Sequence, residues 1–381
     1  MSNANIEAFK ARFGALTAVC AIAPGRLEVL GNHTDYNEGF VLSTAVDRAT
    51  TVSMSPVEGT ICTIHENGKD CTLDLNDLTT YVKGDWRNYL KGLILELQKR
   101  GAKIGAFNAE LSSTVPLSAG MSSSAALEMA FGFALKTIFK IELSLPDWAR
   151  AGQGVENNFM GLKSGLLDQF SSLYGKKDSL ILCDFRTVEV LKTVSMPAGW
   201  SMVVANTMVK HNLVESDYTL RRQSCENALA AIQKKYPAVK ALRDVDSAML
   251  ESCKDDMDIT DWKRAKHVVG EDERVMQGVK LLEAGDIRAF GALLFASHES
   301  SRDMFENSCT ELDALVEIAK TLPGCAGARL SGGGFGGISI HLVESDQAEQ
   351  YCERLKTAYK TMTGKVAETL ICGIGDGARV L

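Results

Sequence analysis

Along the chain, short apolar stretches of alternating character trade places with longer ones of helical spacing. Residues 18–23 (AVCAIA) run apolar and stop at Pro24-Gly25, which predicts a strand followed by a turn. Residues 40–54 and 60–64 predict further strands, as do residues 105–114, which alternate and halt before Pro116. Helical periodicity covers 85–100, a run at 122–139 opened by serines, and about 146–160. Strand character returns over 179–194 and again in WSMVVAN at 200–206. The next stretch is mainly helical, at 215–235, 260–283 and 287–300. The last part closes with a strand at 325–330, a glycine loop, a strand at 338–343, a helix near 345–361 and a strand near 366–372. This mixture predicts an α+β protein of two domains, residues 1–195 and 196–381.

Composition narrows the classes of function. The 381 residues are 45% hydrophobic and 23% charged, an ordinary globular balance. A formal net charge of −7 argues against a large nucleic-acid surface, which needs clustered Lys and Arg. No apolar run reaches the ~18 residues that a membrane span requires. The opening MSNANIEAFKARF reads as a helix and has no apolar core of a signal peptide. Ten cysteines without C-x-x-C pairs read as reduced thiols, and so as a cytoplasmic protein, taken here as a monomer.

Three segments concentrate chemistry. Ala23–Gly39 packs Arg26, Glu28, Asn32, His33, Asp35 and Asn37 between glycines, a density of varied polar groups suited to a ligand with many hydroxyls. A polar surface turn is the plainer alternative. Val115–Ala130 brings a strand, a proline and small residues to a serine-opened helix, whose free N–H groups and dipole favour an anion. One serine there would be an ordinary N-cap; three in a row after a glycine fit that less well. Leu330–Val343 matches G-x-G-x-x-G at Gly332, Gly334 and Gly337, yet it leads into a strand, so it is no dinucleotide fingerprint. A Walker A motif, the protein-kinase motifs, G-x-S-x-G and H-E-x-x-H are all absent.

In this order the three segments resemble the GHMP kinase superfamily (galacto-, homoserine, mevalonate and phosphomevalonate kinases), and within it the galactokinase family most closely. The matching residues are Gly25-Arg26 through Gly31-Asn32-His33-Thr34-Asp35-Tyr36, Pro116–Ala125 and Gly332–Gly337, with further likeness at 85–92, 164–175, 216–226 and 264–271 (RAKHVVGE). The resemblance implies two domains with the active site in the cleft between them. It implies ATP as phosphate donor, Mg²⁺, and a small sugar phosphorylated at its 1-hydroxyl, D-galactose before any other. By position it makes Asp168 the catalytic aspartate and Arg26 its partner. Gly120, Ser122, Ser123 and Ser124 would hold phosphates, Trp86 the adenine, and Ser124 and Glu156 the metal. Asn32, His33, Asp35, Gly165 and Tyr218 would contact the sugar.

Two departures bear on the substrate. The signature Asn is Glu28 here and the signature Glu is Asn32. A neutral amide at 32 would tolerate a carboxylate at C6, which makes a kinase for a related sugar, such as galacturonate or another aldose, the alternative. The phosphate loop reads Ser118-Ala119-Gly120 in place of a fuller glycine pattern. A non-catalytic sugar sensor on the same fold is the remaining alternative; the complete serine cluster, Asp168 and Arg26 oppose it.

Overall fold

The computed structural model describes residues 2–14, 16–116, 120–162, 164–210 and 214–381. The N-terminal helix α1 (Ser2–Phe13) precedes the strands β1 (Val19–Leu30), β2 (Phe40–Pro56), β3 (Ile61–Glu66) and β4 (Lys69–Asp74). Helix α2 (Arg87–Lys99), strand β5 (Phe107–Ser113) and helices α3 (Ser123–Phe139), α4 (Leu145–Gly154) and α5 (Leu167–Tyr174) follow, then the hairpin β6 (Ser179–Asp184) and β7 (Glu189–Ser195). Past it lie β8 (Trp200–Lys210), α6 (Val214–Lys235), α7 (Ser247–Glu251), α8 (Ile259–Glu283), α9 (Ile287–Ser300) and α10 (Thr310–Thr321). The chain ends through β9 (Cys325–Ser331), β10 (Gly336–Glu344), α11 (Ala348–Thr363), β11 (Glu368–Cys372) and β12 (Arg379–Val380).

Among the described residues the strands form two sheets. The first has the order β12-β1-β2-β5-β3-β4, and β2 is long enough to pair with β5 through residues 50–56 and with β6 through 40–43. Helices α2 to α5 cover it over an apolar core containing Phe107, Phe131, Trp148 and Phe170. The second sheet, β11-β8-β10-β9, is antiparallel throughout and carries α9, α10 and α11. A third core joins the sheets, with Leu27, Val29 and Leu42 from the first meeting Val204, Ile338 and Ile340 from the second. Among the described residues no helix is long and apolar enough to cross a membrane.

Several elements depart from their expected shape. Strand β1 does not stop at Pro24-Gly25. It slips register between Pro24 and Arg26 and runs on to Leu30, because a bulge accommodates a proline that cannot donate to the ladder. Arg26 and Glu28 therefore stand on a strand and not on a loop. Residues 179–194 are a hairpin. The expected helix at 146–160 ends at Gly154 and loosens into a π turn, Val155–Phe159, which carries Glu156. Helices α5 and α10 and strands β4 and β12 were not foreseen; the last returns the C-terminus to β1, antiparallel.

Candidate functional site

The bulge in β1 turns Arg26 toward the start of α3. Its backbone N–H donates to the Met121 carbonyl at 3.1 Å, and its Nη1 donates to the Gly120 carbonyl at 2.7 Å. Gly25 permits this approach, since a Cβ there would lie 2.6 Å from the Met121 oxygen. The remaining donors of Arg26, Nε and Nη2, reach Asp168 Oδ1 at 2.9 and 2.7 Å. Asp168 sits in the first turn of α5, where a helix N-terminus favours a negative charge. Its Oδ2 accepts a 2.5 Å hydrogen bond from Ser122 Oγ. Ser122 precedes α3 with φ +53° and makes no side-chain cap, so its left-handed backbone aims the hydroxyl at Asp168. Ser123 and Ser124 open the helix, half-buried. Ser118 and Ala119 lie outside the described residues.

Of these groups Arg26 and Asp168 face a cleft of about 270 Å³, whereas Gly120, Ser122, Ser123 and Ser124 are not in its lining. Arg26, Asn32, His33, Asp35, Glu156, Gly165, Asp168 and Tyr218 all line it, with Glu28, Leu162, Ser164, Leu167, Gly332 and Gly333 among the rest. One wall is the turn after β1. Gly31 has φ +98° and His33 φ +62°. The glycine loop between β9 and β10 lies against that turn: Asn32 Nδ2 donates to the Gly332 carbonyl at 2.9 Å, and His33 Nε2 meets the Gly333 carbonyl at 3.3 Å. A carbonyl only accepts, so Nε2 of His33 carries the hydrogen and Nδ1 accepts from Tyr36 Oη at 2.9 Å. Burial lowers the His33 pKa to about 3, so the ring is neutral.

The Asn32 amide is committed at both ends to groups of the protein. Its Nδ2 also donates to Glu28 Oε1 at 2.8 Å, and its Oδ1 accepts from Asn307 Nδ2 at 2.9 Å. Glu28 in turn pairs with the fully buried Arg329 at 3.0 Å. Burial pushes the Glu28 carboxyl up, while Arg329, Arg26 and the Asn32 amide pull it down. The exchanged pair thus keeps a carboxylate in this wall, four residues away from where the signature would put it.

Across the cleft, enclosure and then the charge of Glu28 push Asp35 up to about 6. Gly165 belongs where it is, because a Cβ would stand 1.6 Å from Asp35 Oδ2. Burial, followed by the charge of Asp168, pushes Glu156 up to about 7. Tyr218 packs its ring on His33, with centroids 5.1 Å apart. The structure does not bring Trp86 into this lining; it opens α2, half-buried against the first core. Sequence reasoning missed the direct part of Glu28 and of the glycine-loop carbonyls. It also missed Asn307, which no motif marks.

Comparison with known proteins agrees on one family. Residues 7–56 match the family described as the galactokinase galactose-binding signature, 88–176 the GHMP kinases N terminal domain, and 279–361 the GHMP kinases C terminal. The chain is 37% identical to a galactokinase of Roseiflexus sp. (strain RS-1) over 372 residues, 97% of this chain and 95% of that one. It is 35% identical to a galactokinase of Glaesserella parasuis serovar 5 (strain SH0165), covering 98% and 97%. The crystal structure of Lactococcus lactis galactokinase complexed with galactose superposes with a TM-score of 0.94 at 31% identity, covering 100% of this chain and 99% of that one. Methanococcus jannaschii mevalonate kinase, at 18% identity and a TM-score of 0.63, shares the fold.

Proposed function

The chain belongs to the galactokinase family of the GHMP kinases, and from that premise we propose that it transfers the γ-phosphoryl group of ATP to the 1-hydroxyl of D-galactose. The observation that carries this reading is the carboxylate of Asp168, held by Arg26 and Ser122 at the edge of a cleft walled by the galactose-binding signature. Phosphoryl transfer passes through a loose transition state, so positioning and charge stabilisation do most of the catalysis. Asp168 accepts the proton of the 1-hydroxyl or orients that hydroxyl for attack. Arg26 fixes the carboxylate and ties it to the Gly120 carbonyl, hence to the phosphate side. The free N–H groups at the start of α3, beside Gly120 and Ser122, and the hydroxyls of Ser123 and Ser124 hold the phosphates, and Trp86 takes the adenine. Asp35, Gly165 and Tyr218, with Asn32 and His33 behind them, shape the sugar wall.

Ser124 and Glu156 fit a magnesium ion. Both offer hard oxygen donors, and Glu156 is a buried carboxylate raised to about 7 by burial and by Asp168, a place where a cation is favourable. Among the described residues no three or more His, Cys, Asp and Glu are grouped to hold a metal; magnesium commonly uses one or two carboxylates and completes its shell with water and substrate phosphates. Bound there, the ion would neutralise charge on the phosphates. The expected setting is the cytoplasm, where ATP is available.

Glu28 bears on the choice of sugar. Its carboxylate already stands in the cleft wall, and like charges repel in a low-dielectric site. A C6 carboxylate is therefore opposed, and galactose is preferred over galacturonate. ADP release and ³¹P detection of sugar 1-phosphate over a panel of sugars test this. Galactose is expected to give the highest kcat/KM. A kcat/KM for galacturonate equal to or above that for galactose would overturn the assignment of substrate.

A further inference from the structure

The segment RAKHVVGE of α8 has no part in the proposed chemistry, yet it reaches the sugar-facing turn from behind. The backbone N–H groups of Gly31 and Asn32 both donate to Glu271 Oε2, each at 3.0 Å. The Asn32 carbonyl meets His267 Nε2 at 3.2 Å. Residues 267 and 271 lie one helical turn apart on the same face of α8, so two side chains of one helix grip both sides of the Asn32 residue. The turn they grip contains His33 at φ +62°, a conformation that a non-glycine residue keeps only where its surroundings over-determine it.

The grip is itself held firmly. Glu271 and His267 are fully buried. Glu271 Oε2 also accepts from Ser297 Oγ at 3.0 Å, and its Oε1 accepts from Arg274 Nε at 2.5 Å. Ser300 Oγ lies 2.9 Å from His267 Nδ1. The Asn32 carbonyl can only accept, so Nε2 of His267 carries the hydrogen and Nδ1 accepts from Ser300. Burial lowers the His267 pKa to about 3, in keeping with a neutral ring. Burial alone would raise Glu271, but the Arg274 guanidinium holds it below the usual carboxylate range.

We infer that His267 and Glu271 are positioning residues that hold the turn Gly31–His33 in the shape that the sugar meets. The inference rests on the reading of this cleft as a galactose site. Neither residue touches the cleft, so both act through the turn. A purely structural role would lower stability and leave the Michaelis constants of the folded protein alone; a positioning role raises KM for the sugar and spares KM for ATP.

The test uses the full chain, with folding checked by circular dichroism. His267→Leu removes the donor to Asn32, whereas His267→Gln can return an N–H at similar reach. His267→Leu is expected to raise KM for galactose about tenfold, the scale of a buried carbonyl left unpaired, with KM for ATP within about twofold. His267→Gln is expected to restore most of the galactose KM. Glu271→Gln keeps one acceptor but sets an NH₂ group against Arg274 or the turn, and is expected to shift the same constant in the same direction. If it fails to fold, the His267 pair decides. Folded His267→Leu with an unchanged galactose KM, or with both KM values raised alike, overturns the inference while wild-type turnover of galactose leaves the substrate reading intact. Absence of galactose turnover in the wild-type chain overturns both.

Discussion

The two oxygens of Asp168 serve different partners: Oδ1 takes both free donors of Arg26, and Oδ2 takes the Ser122 hydroxyl. Asparagine in its place keeps one acceptor oxygen. If that oxygen faces Arg26, the amide NH₂ faces Ser122 Oγ, which can accept, so the fold survives while the proton acceptor is lost. Asp168→Asn is therefore expected to lower kcat about 10²–10⁴-fold, the range for losing general-base assistance. Calorimetry should find galactose binding nearly unchanged. Near-wild-type kcat in a folded Asp168→Asn protein would remove Asp168 from the mechanism. Asp168 and Arg26 were legible in the sequence only through the ordered motifs around them, since 142 residues separate the pair. The fate of Asn32 was not legible. Its amide is saturated by Gly332 and Asn307, 300 and 275 residues away, and no local pattern announces such partners.

At the scale of elements, apolar periodicity located the long helices well because each buries one face against a sheet. It failed where length or geometry works against it. Helix α5 has eight residues, too short for a clear period. Strand β4 pairs with β3 at the edge of the sheet and buries little. Helix α10 is another matter: Leu312, Leu315, Val316 and Ala319 are buried at helical spacing, so its signal was present in the sequence. The contact of β10 with α11 carries a titration that periodicity cannot show. His341 is fully buried, 2.8 Å from Ser339 Oγ and 2.7 Å from Tyr351 Oη. Burial and then His298 lower its pKa to about 3, against 6.5 for a free histidine. The folded state therefore holds this ring neutral, and unfolding takes up a proton at any pH between those values. The stability that His341 contributes is fully present above about pH 6.5 and is lost as pH falls toward 3. Urea unfolding at a series of pH values should show a shallower acid-side slope for His341→Gln than for wild type. The difference should approach about 1.4 kcal/mol per pH unit, one proton's worth. Parallel curves would mean that His341 titrates alike in both states.

At the scale of the whole molecule, the sequence suggested two α+β halves in order, while the pairing of distant strands was beyond it. Nothing local tells β12 to close on β1, or β8 to lie between β10 and β11. Besides the shared core and the hydrogen bonds of Glu271, His267 and Asn307 to the turn after β1, a buried ion pair holds the halves around the cleft. Arg329, on β9 of the second sheet, is fully buried. Its Nη2 donates to Glu28 Oε1 at 3.0 Å and its Nη1 to the Val29 carbonyl at 3.1 Å, both on β1 of the first sheet. Removing one member of such a pair strands the other charge in a low-dielectric interior, which costs about 3–5 kcal/mol. Arg329→Met keeps most of the volume and removes the charge, so it should lower the unfolding free energy by that order. Adding Glu28→Gln should recover part of the loss, because a neutral amide needs no counter-charge and can still accept from Asn32. The coupling read from the double-mutant cycle should lie at about 0.5–3 kcal/mol. Urea denaturation of the wild type, the two single variants and the double variant gives all four corners. Simple additivity would show that this ion pair does not couple the halves, and that the carboxylate of Glu28 sits in the cleft wall without depending on its partner across the interface.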